Sequence, residues 1–367
     1  MQYIDFGKTG LRVSRFGLGC MRFPADEGEA IEMIRYAIDH GVNYIDTAYI
    51  YPGSEVIVGK ALRDGYREKV VLVTKLPLAN CFKYEDMEKY LDEALSRLQT
   101  DHADIYLLHN ISTANQERIE KLRALTFIGE MVKKGKILHQ GFSMHNSFEN
   151  FKKVIDSYGW ELCQVQYNIL DEQNQCGGTA ALKYAAAKGI PVTGMEPLKG
   201  GTLLRDASAK VAELIENYPE KRSLQEWCFR WLYSKPEVSV ILSGTSTLAQ
   251  LKDNLRIFED ARPNVMSEED EKLIAAIRAT YAAANNVGCT DCKYCMPCPR
   301  NIQIPAMFAS YNMYLNGDKR GKENYDKLDS CGRGASQCVR CGVCAKHCPQ
   351  GLPIPDLMAR IRKAMAE

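Results

Sequence analysis

Residues 29–48 read EAIEMIRYAIDHGVNYIDTA, and this stretch decides the fold. From Glu29 to Asp39 apolar residues recur at the helical period, and Asn43–Ala48 then forms a short apolar run of strand length. The same alternation continues through the first 260 residues. It yields candidate strands at Phe16–Cys20, Asn43–Ala48, Val70–Lys75, Asp104–His109, Leu138–Ser143, Leu162–Tyr167, Pro191–Met195 and Val238–Ser243. Helical periods such as Glu85–Leu98 and Gly178–Lys188 separate them. Strands alternating with helices indicate a parallel sheet, and eight such units in about 250 residues fit a closed (β/α)8 TIM barrel. Ahead of the first strand, QYIDF-GKTG-LRVSRF reads as a β-hairpin outside the barrel, placed to cap one end.

Polar groups on apolar strands demand a reason, and barrel active sites lie at strand C-termini. Asp46 lies on the second strand, Tyr51 follows it by five residues, Lys75 ends the third and His109 ends the fourth. Taken singly, a tyrosine after a strand is packing and a strand-end lysine is solvated. Taken together, four ionisable groups at ordered strand ends form a catalytic constellation. Hydride addition to a carbonyl leaves charge on oxygen, so a proton donor must stand there. Tyrosine, with an ordinary pKa of about 10, is a poor acid until a cation favours its phenolate. Lys75 supplies the cation, Asp46 holds the lysine, and His109 orients the carbonyl oxygen or joins the proton relay.

These residues sit in motifs that resemble the aldo-keto reductase family over roughly residues 1–260: GLGCMR (17–22), GVNYIDTAYIYPGSE (41–55), VLVTKL (71–76), DIYLLHN (104–110) and GFSMHN (141–146). The family's catalytic tetrad maps onto Asp46, Tyr51, Lys75 and His109. The resemblance implies an extended nicotinamide cofactor bound without a Rossmann motif, and no GxGxxG is present. Carboxamide contacts fall on Ser143 and Gln164. Met144 stands where the family commonly has asparagine, and Met195 stands where an aromatic ring usually stacks on the nicotinamide. The last strand leads through Ser243, Gly244 and Thr245 into a helix whose N-terminus could hold phosphate. Gly244, Gln250 and Asn254 occupy positions at or near which NADP-dependent members carry Lys or Arg. A 2′-phosphate would lack a cationic partner there, so the choice between NAD(H) and NADP(H) leans to NAD(H).

Eight of the 14 cysteines fall into two runs, Cys289-x2-Cys292-x2-Cys295-x2-Cys298-Pro and Cys338-x2-Cys341-x2-Cys344-x3-Cys348-Pro. Structural zinc is the competing reading. Consecutive x2 triplets closed by Cys-Pro are instead an iron–sulfur pattern, one [4Fe-4S] cluster per run. CPRNIQIP (298–305) and CPQGLPIP (348–355) form an internal repeat. The module resembles a bacterial dicluster ferredoxin domain over about residues 285–356, with an x2 in place of x3 before Cys298 and a long insert at 299–337. In that family the fourth cysteine of each run serves the other cluster. Carried over, one cluster takes Cys289, Cys292, Cys295 and Cys348, and the other takes Cys338, Cys341, Cys344 and Cys298. The remaining six cysteines read as packing residues, with Cys331 near enough to the second run to be a substitute ligand.

The expected organisation is a barrel over 1–265, a linker helix over 266–284 capped by Ser267, and a small ferredoxin-like iron–sulfur domain over 285–367 ending in a short amphipathic helix. A net charge of +1 shows no basic stripe for nucleic acid. No apolar run reaches the roughly 18 residues of a membrane span, and no signal peptide is read at the N-terminus, so a cytoplasmic protein is expected.

Nicotinamide moves two electrons as a hydride, and a cubane moves one. Direct exchange between them needs a mediator. No flavin motif is present, although barrels can bind flavin without one. The reading is therefore an oxidoreductase acting on a small carbonyl or alcohol, its clusters structural or serving electron transfer with a ferredoxin or flavodoxin. The alternative is an electron-transfer or redox-sensing protein that uses the barrel as a docking scaffold. Substrate choice would lie in the loops 22–26, 110–116 and 198–206.

Overall fold

The computed structural model describes residues 1–112 and 115–365; two residues of the 110–116 loop, 113 and 114, thus lie outside the described residues. The chain divides into two compact units. The first comprises Met1–Pro197 and Phe229–Val265, and the second comprises Leu198–Cys228 and Met266–Glu367.

The first unit is a closed barrel of eight parallel strands preceded by a two-stranded antiparallel hairpin. The hairpin pairs β1 (Tyr3–Asp5) with β2 (Arg12–Ser14). The barrel strands are β3 (Phe16–Gly19), β4 (Tyr44–Asp46), β5 (Val71–Leu76), β6 (Ala103–Ile111), β7 (Ile137–Met144), β8 (Leu162–Gln166), β9 (Val192–Met195) and β10 (Val238–Ser243). Each pairs in parallel with its neighbour in sequence, and β10 closes the ring onto β3. Parallel strands flanked by helices are covered on both faces, which explains why β4, β5, β8 and β10 are buried at every residue.

Strand starts and the hairpin share one apolar cluster. Phe6 and Val13 pack with Tyr44, Val71, Ile105 and Leu162, and the Phe6 and Tyr44 rings meet edge to face at 5.8 Å. The hairpin therefore plugs the N-terminal mouth of the barrel and leaves the C-terminal mouth for chemistry. An open groove lined by Arg63, Arg67, His102 and Asp104 lies at the N-terminal side of β5 and β6, where Arg67 is committed to Asp104 at 2.8 Å.

The described residues of the second unit are helices and cysteine loops. Its first long helix, Glu268–Ala284, opens with a reciprocal capping box between Ser267 and Asp270. Asp270 also accepts from the Tyr218 hydroxyl at 2.7 Å, tying the 198–228 segment to this helix. Helices Ile304–Leu315, Arg320–Ser330 and Ile354–Met365 bury Met307, Phe308, Tyr311, Tyr325, Met358 and Ile361 in a second core. Among the described residues, no helix is long and apolar enough to cross a membrane.

Candidate active site and cluster sites

Asp46 is the last residue of β4, and Lys75 is the penultimate residue of β5. With both side chains almost wholly buried, the Lys75 ammonium donates to Asp46 Oδ1 at 2.7 Å and to the Thr47 carbonyl at 2.6 Å. Burial pushes the Asp46 carboxyl up, and Lys75 opposes that shift. Tyr51 sits in the turn that leads from β4 to the helix Ser54–Ala61. The Lys75 ammonium lies 5.3 Å from the Tyr51 ring centroid, and the His109 ring meets the same tyrosine edge to face at 5.8 Å. Burial, with Lys75 as the next cause, holds His109 well below the ordinary histidine range. Its imidazole is therefore neutral at pH 7. The four residues singled out in the sequence thus come together at the C-terminal mouth.

The surrounding Ser-Glu pair has a structural role that the sequence alone did not show. Ser54 Oγ shares a 2.7 Å hydrogen bond with Thr47 Oγ1 and donates to the Cys20 carbonyl. Glu55, 2 % exposed, accepts from Thr74 Oγ1 at 2.7 Å and pairs with Arg97 at 3.3 Å. Both lock the backbone on either side of Asp46 and Lys75.

On the far side of the mouth, Ser143 of β7 is in register with Gln164 of β8. Ser143 Oγ accepts from the Asn110 backbone at 2.8 Å, and Gln164 Nε2 contacts Met195 Sδ at 3.6 Å. Ser243 ends β10, where its hydroxyl accepts from Asn254 at 3.1 Å. Thr247 caps the helix Leu248–Ile257 by accepting from the Gln250 backbone, and the Gln250 side chain accepts from the Ser246 N–H at 2.9 Å. Gln250 is thereby occupied in its own cap. On that helix Arg256 is held by Asp253 at 2.9 Å, and Lys252 lies over the Tyr36 ring.

Five buried polar atoms at these strand ends have no hydrogen-bond partner among the described residues: Asp46 Oδ2, His109 Nδ1, Asn110 Oδ1, Gln164 Oε1 and Thr245 Oγ1. An unsatisfied buried polar group costs about 1–3 kcal/mol, so native structures place few of them without cause. Their concentration here is what a polar ligand would complete. Gln164 Oε1 can accept from a carboxamide, and Thr245 Oγ1 can donate to a phosphate.

The neighbouring His145, half-buried and hydrogen-bonded to Gln175 at 3.2 Å, is pushed down to about 4 by its partial removal from water. An unfolded chain protonates this histidine below about pH 6.5, whereas the folded one does so only near 4. The unfolded state therefore binds more protons in that window, and stability falls as pH falls through it. His145→Asn is expected to flatten the dependence of urea-unfolding midpoint on pH between about 6.5 and 4. An unchanged slope would remove His145 from the account.

The second unit gathers seven of the eight motif cysteines into two groups. Cys289, Cys292, Cys295 and Cys348 line one small cavity with Pro305, Phe308, Leu352 and Ile354. Burial pushes Cys289 and Cys295 up to about 12, and each is raised further by Cys348 among its neighbours. Cys344 is raised by burial and, through space, by Cys298 and Cys338. Cys348 thus lies with the first triplet and Cys298 with the second. Backbone N–H groups of Asp291 and Arg300 point at Cys289 Sγ (3.4 Å) and Cys298 Sγ (3.5 Å). Four cysteines lining one small cavity suit a metal cluster, which would hold them as thiolates, and N–H groups aimed at sulfur suit cluster ligands. Among the described residues, no three His, Cys, Asp or Glu side chains close to single-ion distances. Five of the other cysteines, Cys20, Cys81, Cys163, Cys176 and Cys228, are buried, and Cys331 is exposed with its thiol on the Leu328 carbonyl.

Comparison with known proteins bears on both units. Residues 15–277 match the aldo/keto reductase family, and residues 288–353 match the 4Fe-4S dicluster domain. The chain is 29% identical over 307 residues to the uncharacterized oxidoreductase YrpG of Bacillus subtilis, covering 71% of this chain and 91% of that one. It is 25% identical over 305 residues to L-galactose dehydrogenase of Arabidopsis thaliana, covering 74% and 92%. Among solved structures, an aldo-keto reductase from Bacillus halodurans in its holo form superposes with a TM-score of 0.63 at 25% identity, covering 76% of this chain and 96% of that one.

Proposed function

Because the chain belongs to the aldo/keto reductase family, we propose that its barrel transfers a hydride between a nicotinamide cofactor and a small carbonyl or alcohol. The observation that carries this reading is the buried Lys75–Asp46 pair beneath Tyr51 and His109, set among unpartnered polar atoms at the C-terminal mouth. When bound, the nicotinamide supplies or takes the hydride. In the reducing direction Tyr51 gives its hydroxyl proton to the carbonyl oxygen. Lys75 stabilises the phenolate left behind, and Asp46 holds the lysine in place. His109, neutral, can donate one hydrogen bond to the carbonyl oxygen without adding charge. Gln164 and Ser143 are proposed to hold the carboxamide, Met195 to pack against the nicotinamide ring, and Ser243 to Thr245 to meet the phosphates.

NAD(H) is the proposed cofactor. Gly244 offers no cation, Gln250 is tied to Ser246, and Asn254 to Ser243. Gln250→Arg is expected to tighten NADPH binding. A charge-assisted hydrogen bond is worth about 1.5–3 kcal/mol, so roughly tenfold or more in Kd. Fluorescence titration with NADH and NADPH checks this, and a wild-type protein that already prefers NADPH would overturn it.

The dicluster domain is proposed to hold its clusters crosswise, one on Cys289, Cys292, Cys295 and Cys348, the other on Cys338, Cys341, Cys344 and Cys298. Each would carry one electron at a time. The function as a whole is tested by anaerobic NADH oxidation against a panel of aldehydes and ketones. Turnover with at least one carbonyl class is expected, and no turnover with any, despite nicotinamide binding, would sink the reading.

A further inference from the structure

The two cysteine loops of the second unit differ in what covers them. The first is partly covered by its own chain, with Cys289, Cys292 and Cys295 half-buried. Thr290, between Cys289 and Cys292, is 1 % exposed. Gly200, at φ +66°, lies so close that a Cβ there would stand 2.0 Å from the Thr290 carbonyl oxygen. Lys199 is buried alongside, its ammonium 3.9 Å from where a Cβ on Gly288 would stand.

The second loop is open. Cys341 is exposed, and the residues flanking it, Val339 and Val343, are 60 % and 42 % exposed. Among the described residues five other large hydrophobics are exposed, and here two flank a single thiol. The charge around them is predominantly basic, with Asp329 and Asp356 at its two ends. From Ser330 to Pro355 the chain carries Arg333, Arg340 and Lys346 and no Asp or Glu. Arg340 reaches Asp356 at 2.5 Å, a pair exposed on both sides and therefore weak.

We propose that the second cysteine loop, centred on Val339, Cys341 and Val343, is the docking surface for a small acidic electron-carrier protein of the flavodoxin or ferredoxin type. The proposal rests on the cluster assignment above. A small apolar centre on a segment where Arg333, Arg340 and Lys346 outnumber the acids suits a brief encounter with an acidic partner, because electron-transfer interfaces are small and are steered by complementary charge. A cluster held there would present the exposed Cys341 to the partner's redox centre, whereas the cysteines of the first loop are half-buried. In each encounter the reduced carrier would lose one electron and a cluster held by Cys338, Cys341, Cys344 and Cys298 would gain it, with no bond formed or broken.

The test uses the full chain with its clusters intact, mixed anaerobically with a reduced flavodoxin while cluster absorbance is followed. Val339→Asp and Arg340→Glu are expected to slow bleaching by flavodoxin about tenfold or more at low salt. Bleaching by dithionite, which needs no docking, should be unchanged. Lys293→Glu on the first loop should leave both rates alone. The wild-type flavodoxin rate should fall as salt rises, and Arg340→Glu should lose that dependence. Equal flavodoxin rates in wild type and both variants would overturn the docking surface while leaving the clusters standing. So would Val339→Asp turning a dimer into a monomer at an unchanged flavodoxin rate, since the surface would then join two copies of this chain. Wild-type protein without bleachable iron would instead overturn the cluster assignment itself. If Val339→Asp loses iron, Arg340→Glu, which leaves the apolar centre intact, carries the decision alone.

Discussion

Replacing Tyr51 with phenylalanine is expected to lower kcat for carbonyl reduction by about 100- to 10,000-fold, the usual worth of a positioned general acid. The change removes one oxygen and keeps the ring. The edge-on contact with His109 at 5.8 Å and the position beneath Lys75 at 5.3 Å are both made by that ring. The variant should therefore fold normally and bind nicotinamide as the wild type does, so the loss falls on the chemical step. Lys75→Met gives the contrast. It would also abolish turnover, but at a cost in stability, because it strands Asp46 in a site with almost no solvent contact. Breaking a buried pair in this way costs about 3–5 kcal/mol. Thermal unfolding should separate the two variants clearly. A Tyr51→Phe protein with wild-type kcat would mean that the proton comes from elsewhere.

The second large effect concerns the clusters. Cys348→Ser is expected to lose the same cluster as Cys292→Ser, although the two residues stand in different runs, and Cys298→Ser the same cluster as Cys341→Ser. Each variant should fall from roughly eight iron atoms per chain to roughly four. The paramagnetic spectrum of the surviving cluster identifies the pairs. The argument is one of placement. Cys348 shares its cavity with Cys289, Cys292 and Cys295, and Cys298 lies by Cys338 and Cys344. If Cys348→Ser instead matched Cys341→Ser, the wiring would run within each sequence run.

Much of this was legible in the sequence, and the reasons are physical. Barrel strands are buried on both faces, so they stand out as apolar runs. VVLVTK and the β5 strand coincide almost residue for residue. An ionisable group in such a run is conspicuous because its burial must be offset, which is how Asp46, Lys75 and His109 declare themselves. The cap at Ser267 is local, and it was equally readable, although its reciprocal partner Asp270 was not. What was not readable depends on contacts between distant residues. Glu55 is silent until β5 brings Thr74 beside it, 19 positions away. The approach of Gly200 to Thr290 joins segments about 90 residues apart, and nothing in PLKGG marks it. The exposure of Val339 and Val343 is likewise invisible, since a valine between cysteines reads the same whether covered or bare.

The central claim, that the barrel moves a hydride directly from nicotinamide to a carbonyl, is tested most directly by isotope. NADH carrying deuterium at its reactive carbon is supplied anaerobically with a carbonyl that the protein turns over, and the alcohol is examined by mass spectrometry. The account predicts one deuterium on the carbinol carbon of every product molecule, with or without intact clusters. Alcohol whose carbinol hydrogen comes from solvent, with turnover lost when the clusters are removed, would contradict it and place the iron–sulfur centres on the path of the electrons.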